Sequence, residues 1–442
     1  MSTIVTKFGG TSMADAEKFK KVAEIIKADE RRKYVVVSAP GKRFKGDFKI
    51  TDMFYLCYEK AEAGENIDTL FGEITCRYNE IAEELDLPIS LTYELERIKN
   101  AMYNMTGRDY AASRGEYLNA MILARYLGYD FIDAREVVFF NNDGTFNAEY
   151  TNDVMSARLK RHERAVIPGF YGAMPNGTIK TFSRGGSDIT GSIVARAADA
   201  ELYENWTDVS GFLMADPRIV DDPKVIETIT YRELRELSYM GATVLHEDAI
   251  FPVQIAGIPI NIRNTDRPKD RGTMIVADST EYDTKNVITG IAGKKGFTAI
   301  NIAKDMMNSE VGFGRKVLGV LEKRGISFEH LPSGIDTMSI IVKSSELAGR
   351  LEYIMNGICQ EAAPDTISAE EGIALIAVVG RAMVKSKGTA AKVFRAIANA
   401  DVNVKMIDQG SDELNIIIGI EEADFEKTVR AIYDEFVSGE NK

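Results

Sequence analysis

Two glycine-pair turns hold the residues best suited to chemistry in this chain. The first is Lys7-Phe8-Gly9-Gly10-Thr11-Ser12, at the end of a predicted strand and opening a predicted helix. Paired glycines let backbone approach a ligand closely, and a helix N-terminus offers free N–H groups and a positive dipole end to an anion. Lys7 adds a full charge. The second is Phe182-Ser183-Arg184-Gly185-Gly186-Ser187-Asp188, again where a strand feeds a helix. A guanidinium such as that of Arg184 grips a carboxylate or phosphate with two hydrogen bonds. Asp188 is suited to holding an ammonium group or orienting a metal-bound phosphate, and equally to serving as an ordinary first-turn helix acid. Two such turns, both with cations, describe a site for two anions. Neither is a Walker A loop or a G-x-G-x-x-G fingerprint.

Three further segments carry weaker signals. The run Gly41-Lys42-Arg43-Phe44-Lys45-Gly46-Asp47-Phe48-Lys49 places four cations against one acid and leads into Ile50-Thr51-Asp52, where Thr51 is a candidate helix cap. Such a run is more often a solvated face. Ser113-Arg114-Gly115-Glu116 sets a glycine inside a helical pattern, which costs about 1 kcal/mol relative to alanine and so signals a close contact. Trp206-Thr207-Asp208-Val209-Ser210-Gly211 continues to Ala215-Asp216-Pro217-Arg218, a strand followed by Asp-Pro turn chemistry.

The elements that must position these residues alternate. Strands are expected at 4–7, 34–38, 165–168, 200–206 and 259–263, and helices at 14–28, 108–127 and 187–198, which implies a mainly parallel sheet covered by helices on both faces. Residues 62–105 read as a helical excursion. The stretch 265–296, rich in charge, Gly, Asp and Thr, marks a domain junction. Beyond it, residues 314–342 align without a gap to 390–418 at an offset of 76. Each copy reads as helix, short strand, Gly-containing turn and apolar strand, so the end of the chain encodes two copies of one small α/β domain.

Composition narrows the function. The 442 residues contain 67 Asp+Glu against 54 Lys+Arg, a net charge of −13, which disfavours nucleic acid and anionic membranes as partners. No apolar run reaches the ~18 residues of a membrane span, and the start lacks a signal-peptide core, so a cytoplasmic protein is expected. Three cysteines without a CxxC and three scattered histidines encode neither a disulfide framework nor a zinc site; no protein-held metal site is expected.

Together the segments resemble the amino-acid kinase family and, within it, the aspartate kinases. KFGGTS at 7–12, SAPG and KITD at 38–41 and 49–52, SRGE at 113–116, FSRGGSD at 182–188, WTDVSG and ADPR within 206–218, and GATVLH at 241–246 follow that family's order. The 76-residue repeat resembles its paired ACT-type regulatory domains. The resemblance implies an amino-acid kinase fold over 1–276, a junction at 277–296, and ferredoxin-like ACT domains at 297–370 and 371–442. It implies transfer of the ATP γ-phosphate, carried with Mg²⁺, to the β-carboxylate of L-aspartate. Lys7, Arg184 and Asp188 are then catalytic. Thr51, Glu116, Arg184, Gly185, Gly186 and Ser187 bind aspartate. Lys7, Phe8, Gly9, Gly10, Thr207, Asp208, Arg218 and Val244 surround the nucleotide.

For the regulatory half the resemblance implies feedback inhibition by an end-product amino acid and a homodimer or higher oligomer formed through the ACT domains. Ser309, Gly312, Phe313, Phe328 and Glu329 fall at the inhibitor site, although Phe328 also suits a core and Ser309 a turn. Acidic Glu329 favours lysine as effector over threonine. The sequence departs from the family at Leu213, Thr243 and Glu247, where Tyr, Lys and Pro are usual, and at Ser333-Gly334-Ile335-Asp336. Two alternatives remain: a kinase for another acid such as glutamate, and a catalytically silent amino-acid sensor.

Overall fold

A computed structural model describes residues 2–183, 185–242, 250–278 and 286–438. Arg184, Thr243, Val244 and Glu247 lie outside the described residues. The chain forms two compact units, Met1–Phe212 with Val225–Tyr231 and Val244–Glu281, and Leu213–Lys224 with Arg232–Thr243 and Tyr282–Lys442. Among the described residues no helix is long and apolar enough to cross a membrane.

The first unit is built on an eight-stranded sheet. In chain order its strands are β1 (Ile4–Phe8), β2 (Arg32–Val37), β3 (Asp130–Phe131), β4 (Ala165–Pro168), β7 (Leu202–Thr207), β8 (Thr228–Thr230), β9 (Ile260–Asn264) and β10 (Thr273–Val276); β5 (Tyr171–Ala173) and β6 (Ile179–Thr181) form a separate hairpin. The spatial order is β3-β4-β2-β1-β7-β9-β10-β8. All pairings are parallel except β9 with β10. Every residue of β1 is buried, as expected for a central strand covered on both faces. The chain runs from β1 outward through β2 to β4 and returns on the other side of β1 as β7. Open α/β sheets bind ligands at the carboxyl ends of strands flanking such a reversal.

After the helix Ile50–Glu62, the excursion over 62–105 consists of two helices, Asp68–Glu84 and Thr92–Tyr103. Thr51 is not a cap: Lys49 occupies the N-cap position, without a side-chain bond, and Thr51 lies inside the first turn. The helix Arg108–Leu127 is buried along much of its length and ends on Gly128 at φ 71°. Its Gly115 makes the close contact that the sequence signalled, since a Cβ there would stand 2.7 Å from that of Ala39.

In the second unit the two copies share one antiparallel sheet. Strands β11 (Gly290–Ala303) and β13 (Thr366–Val379), offset by the same 76 residues, pair along most of their length. With β12 (Thr337–Lys343), β14 (Met406–Asp408) and β15 (Asn415–Glu421) the order is β12-β11-β13-β15-β14. The helices Phe313–Glu322 and Thr389–Asn399 occupy equivalent places. The copies differ at one edge. Met406–Asp408 pairs with β15, whereas around the matching 330–332 stretch only isolated bridges form, His330 to Ile341 and Ser333 to Met338.

Candidate active site

The glycine-pair turn after β1 is not an α-helix N-terminus. Gly10–Met13 forms one 3-10 turn, and the α-helix begins at Ala16, capped by the Asp15 carboxylate through the Lys18 N–H. An anion here meets backbone of the Gly9-Gly10 turn and the Lys7 ammonium, not a helix dipole. Phe8 turns its ring into the core, 0% exposed and stacked 6.0 Å from Trp206, and its carbonyl accepts the Ser38 N–H. It has no side chain to offer a nucleotide.

The second turn does open an α-helix. Gly185 stands at the N-cap of Gly186–Ala197 in the left-handed region (φ 59°), with no side-chain cap. The first N–H groups of this helix therefore remain for a ligand. A Cβ on Gly169 would collide with Ser187 at 2.7 Å, so the Gly169-Phe170 loop after β4 buttresses the turn. Phe170 accepts a left-handed conformation (φ 82°) to do so.

Side chains then join the two turns. Lys7 Nζ lies 2.5 Å from Asp188 Oδ1, and Asn205 Nδ2 donates to the same oxygen at 2.8 Å. Lys7 and Asn205 are register partners on β1 and β7, the two strands at the topological reversal. Sequence reasoning missed Asn205, although it directly precedes the Trp206-Thr207-Asp208 motif. Trp206 is structural. It donates to Glu204, which also carries Arg32, and its ring lies under Arg263 at 4.5 Å.

On the other side of β1 the Ser38–Gly41 loop packs against the first turn, with the Gly41 N–H donating to the Gly10 carbonyl at 2.8 Å. The Arg108–Leu127 helix supports this loop: Asn119 Nδ2 donates to the Ser38 carbonyl at 2.7 Å, and Glu116 accepts from the Ala39 N–H. Among the described residues, Glu116 Oε2 and Asn119 Oδ1 are buried with no partner. Burial pushes the Glu116 carboxyl up to about 8, opposed only in part by the Ala39 and Glu116 N–H groups and the charge of Arg114. Arg114 is itself held among Tyr110, Tyr117 and Tyr171. Asn119, one helical turn from Glu116, is a second site residue that motif reading missed.

The remaining candidates are placed less closely. The Thr207 hydroxyl donates to Asp208, which is exposed. Arg218, in the second unit, is 87% exposed and pairs with Asp216. Ser309 lies in a 3-10 turn, and Gly312 caps the Phe313–Glu322 helix. Phe313 is core, packed with Val317 and Ile340, whereas Phe328 is exposed. The Glu329 carboxylate accepts from the Tyr239 hydroxyl at 2.5 Å and pairs with Lys343 at 2.9 Å.

The amino acid kinase family model matches residues 2–264, and an ACT domain model matches residues 376–436. Aspartokinase 3 of Bacillus subtilis is 38% identical over 98% of this chain and 99% of its own. Aspartokinase 1, chloroplastic, of Arabidopsis thaliana is 31% identical over 98% of this chain and 80% of its own. Among solved structures, the allosteric aspartate kinase of Clostridium acetobutylicum is 52% identical with a TM-score of 0.91, covering 99% of this chain and 100% of that one. E. coli aspartokinase III in complex with lysine and aspartate is 25% identical with a TM-score of 0.73, over 98% and 99% of the two chains. A family match over more than half of the chain, joined to relatives aligned along nearly all of it, means that this chain belongs to the amino acid kinase family, among its aspartokinases.

Proposed function

We propose that this protein transfers the γ-phosphoryl group of ATP to the β-carboxylate of L-aspartate, giving β-aspartyl phosphate, under feedback control through its ACT domains. The observation that carries the reading is the Lys7–Asp188 pair at the carboxyl ends of β1 and β7, together with a buried Glu116 that has no ion pair among the described residues. An aspartate side chain has a pKa of about 3.9 and attacks as the anion, so no general base is required. What the reaction needs is alignment and neutralisation of one anion attacking another.

Each residue then has a task. Lys7 and the Gly9-Gly10 backbone hold the transferring phosphoryl group. Arg184, with Gly185, Gly186 and Ser187 at an uncapped helix start, grips the substrate α-carboxylate. Glu116 meets the α-ammonium group, and Thr51 completes that pocket. Thr207, Asp208, Arg218 and Val244 serve the nucleotide. Mg²⁺ bound with ATP would supply neutralisation of phosphate charge, and a protein carboxylate would help hold it. Asp188 would suit that task, and among the described residues the contacts of Lys7 and Asn205 fall on its Oδ1.

Domains at 1–276, 297–370 and 371–442 and a cytoplasmic location complete the proposal. So does assembly as a homodimer or higher oligomer through the ACT domains, supported by the exposed apolar residues Met306, Val311 and Ile335. Lysine is the favoured effector and threonine the alternative; a lysine ammonium at Glu329 has to share or displace Lys343. Incubation with Mg-ATP, L-aspartate and hydroxylamine tests the activity, since an acyl phosphate is trapped as a hydroxamate. Product with glutamate alone moves the assignment to another acid, and no product with any acid favours a sensor.

A further inference from the structure

We propose that the 42–49 loop is a preorganised cationic strap joining the phosphate-binding turn to the aspartate pocket, and that Lys42, Lys45 and Lys49 help bind both anionic substrates. The inference rests on the site reading above. Both ends of the loop are fixed at the two subsites. At one end Gly41 lies so close to Gly10 that a Cβ would stand 2.6 Å from the Gly10 carbonyl carbon. At the other, Lys49 is the N-cap of the helix that carries Thr51, and Ile50 packs against Gly115, the neighbour of Glu116.

The middle is fixed too. Arg77, 4% exposed on the Asp68–Glu84 helix, donates to the carbonyls of Ala14 and Phe48, each at 3.2 Å, and to that of Gly41. It also pairs with buried Asp47 at 3.2 Å. Arg43 closes on the same carboxylate through its backbone N–H (2.9 Å) and Nε (3.0 Å). One buried arginine therefore staples both ends of the loop, which a solvated connection does not require.

With both arginines engaged by Asp47, the lysines are left over. Lys42, Lys45 and Lys49 are exposed and have no ion pair or side-chain hydrogen bond among the described residues. The chain nets −13, so its average charge repels ATP and aspartate. Screening limits the reach of that repulsion to roughly 8 Å at physiological salt, and local cations on a prepaid scaffold decide what enters.

The test is steady-state kinetics on Lys42→Gln, Lys45→Gln, Lys49→Gln and the triple variant, at low and high KCl, with Mg-ATP titrated directly onto wild type and triple variant. The triple variant is expected to raise the KM of both substrates about tenfold with kcat within about twofold, and to lose the rise of KM with salt seen in wild type. Lys42→Gln should weaken ATP more, and Lys49→Gln aspartate more. Arg77→Met should raise both KM values with the lysines intact, and Arg43→Gln repeats that test should Arg77→Met fail to fold. Wild-type KM values, salt response and Mg-ATP affinity in the triple variant would overturn the strap. The direct titration decides this even if wild type forms no aspartyl hydroxamate, an outcome that defeats the functional reading instead.

Discussion

Glu116 in the first unit and Glu329 in the second are both acids with little exposed side chain, and their surroundings treat them in opposite ways. Around Glu116 the described residues supply two backbone N–H groups and the charge of Arg114 but leave Oε2 without a partner, and burial dominates, raising the carboxyl to about 8. Burial also pushes the Glu329 carboxyl up. There the Tyr239 hydroxyl and the Lys343 ammonium outweigh it, and the group is held below its ordinary value. A buried carboxylate with its own cation is a finished part of the fold. One without a cation costs stability, and on the proposed reading a cation that arrives with the substrate accounts for its retention.

The largest effect that would break this contrast is expected at Lys7. On the proposed reading Lys7→Ala removes a positive charge from the transferring group and should lower kcat by about 10²–10³-fold; an unchanged kcat would contradict the role. Next comes Glu116→Gln, which should raise the KM for aspartate by about ten- to a hundredfold, the worth of a charged hydrogen bond. It should also abolish a pH dependence present in wild type. Free Glu116 is protonated below about pH 8 and the ammonium-bound form is ionised, so the wild-type KM should fall as pH rises toward 8 and then level off. A variant with the wild-type profile would assign the dependence elsewhere.

Smaller effects belong to the regulatory unit. Lys343→Met strips Glu329 of its cation. Because Lys343 is 43% exposed, a loss of about 1 kcal/mol is expected, seen as a fall of a few degrees in Tm. A depressed carboxyl stabilises above its unfolded value, so this difference should hold at neutral pH and shrink as pH falls below about 4.5. An undiminished difference in acid would remove Glu329 from the account. The smallest change is Tyr239→Phe, which keeps the ring and deletes the hydroxyl. It should cost at most about 1 kcal/mol and leave kcat unchanged.

Much of this was legible where local pattern decides the outcome. The β4 strand and the Arg108–Leu127 helix were placed to the residue, one ending at the Pro168-Gly169 turn and the other at a left-handed Gly128. The helix of each aligned copy returned at the same 76-residue offset, as Phe313–Glu322 and Thr389–Asn399. Local pattern failed where a distant partner decides. The 3-10 turn at Gly10–Met13 follows from the Asp15 cap downstream, which delays the helix. Asn119 and Asn205 become site residues only when helix and strand meet the loops of β1 and β2. Arg77 reads in sequence as one charge on a helical face, and its burial against Gly41 and Phe48 has no local signature.

The central claim is that Glu116, with no ion pair among the described residues, is kept for the ammonium group of aspartate. Its most direct test is calorimetric titration of L-aspartate at pH 7 in two buffers of different ionisation enthalpy, which counts the protons exchanged on binding. A carboxyl near 8 that ionises when the ammonium arrives releases close to one proton per aspartate in wild type and none in Glu116→Gln. No release from wild type, or equal release from both proteins, would contradict the account.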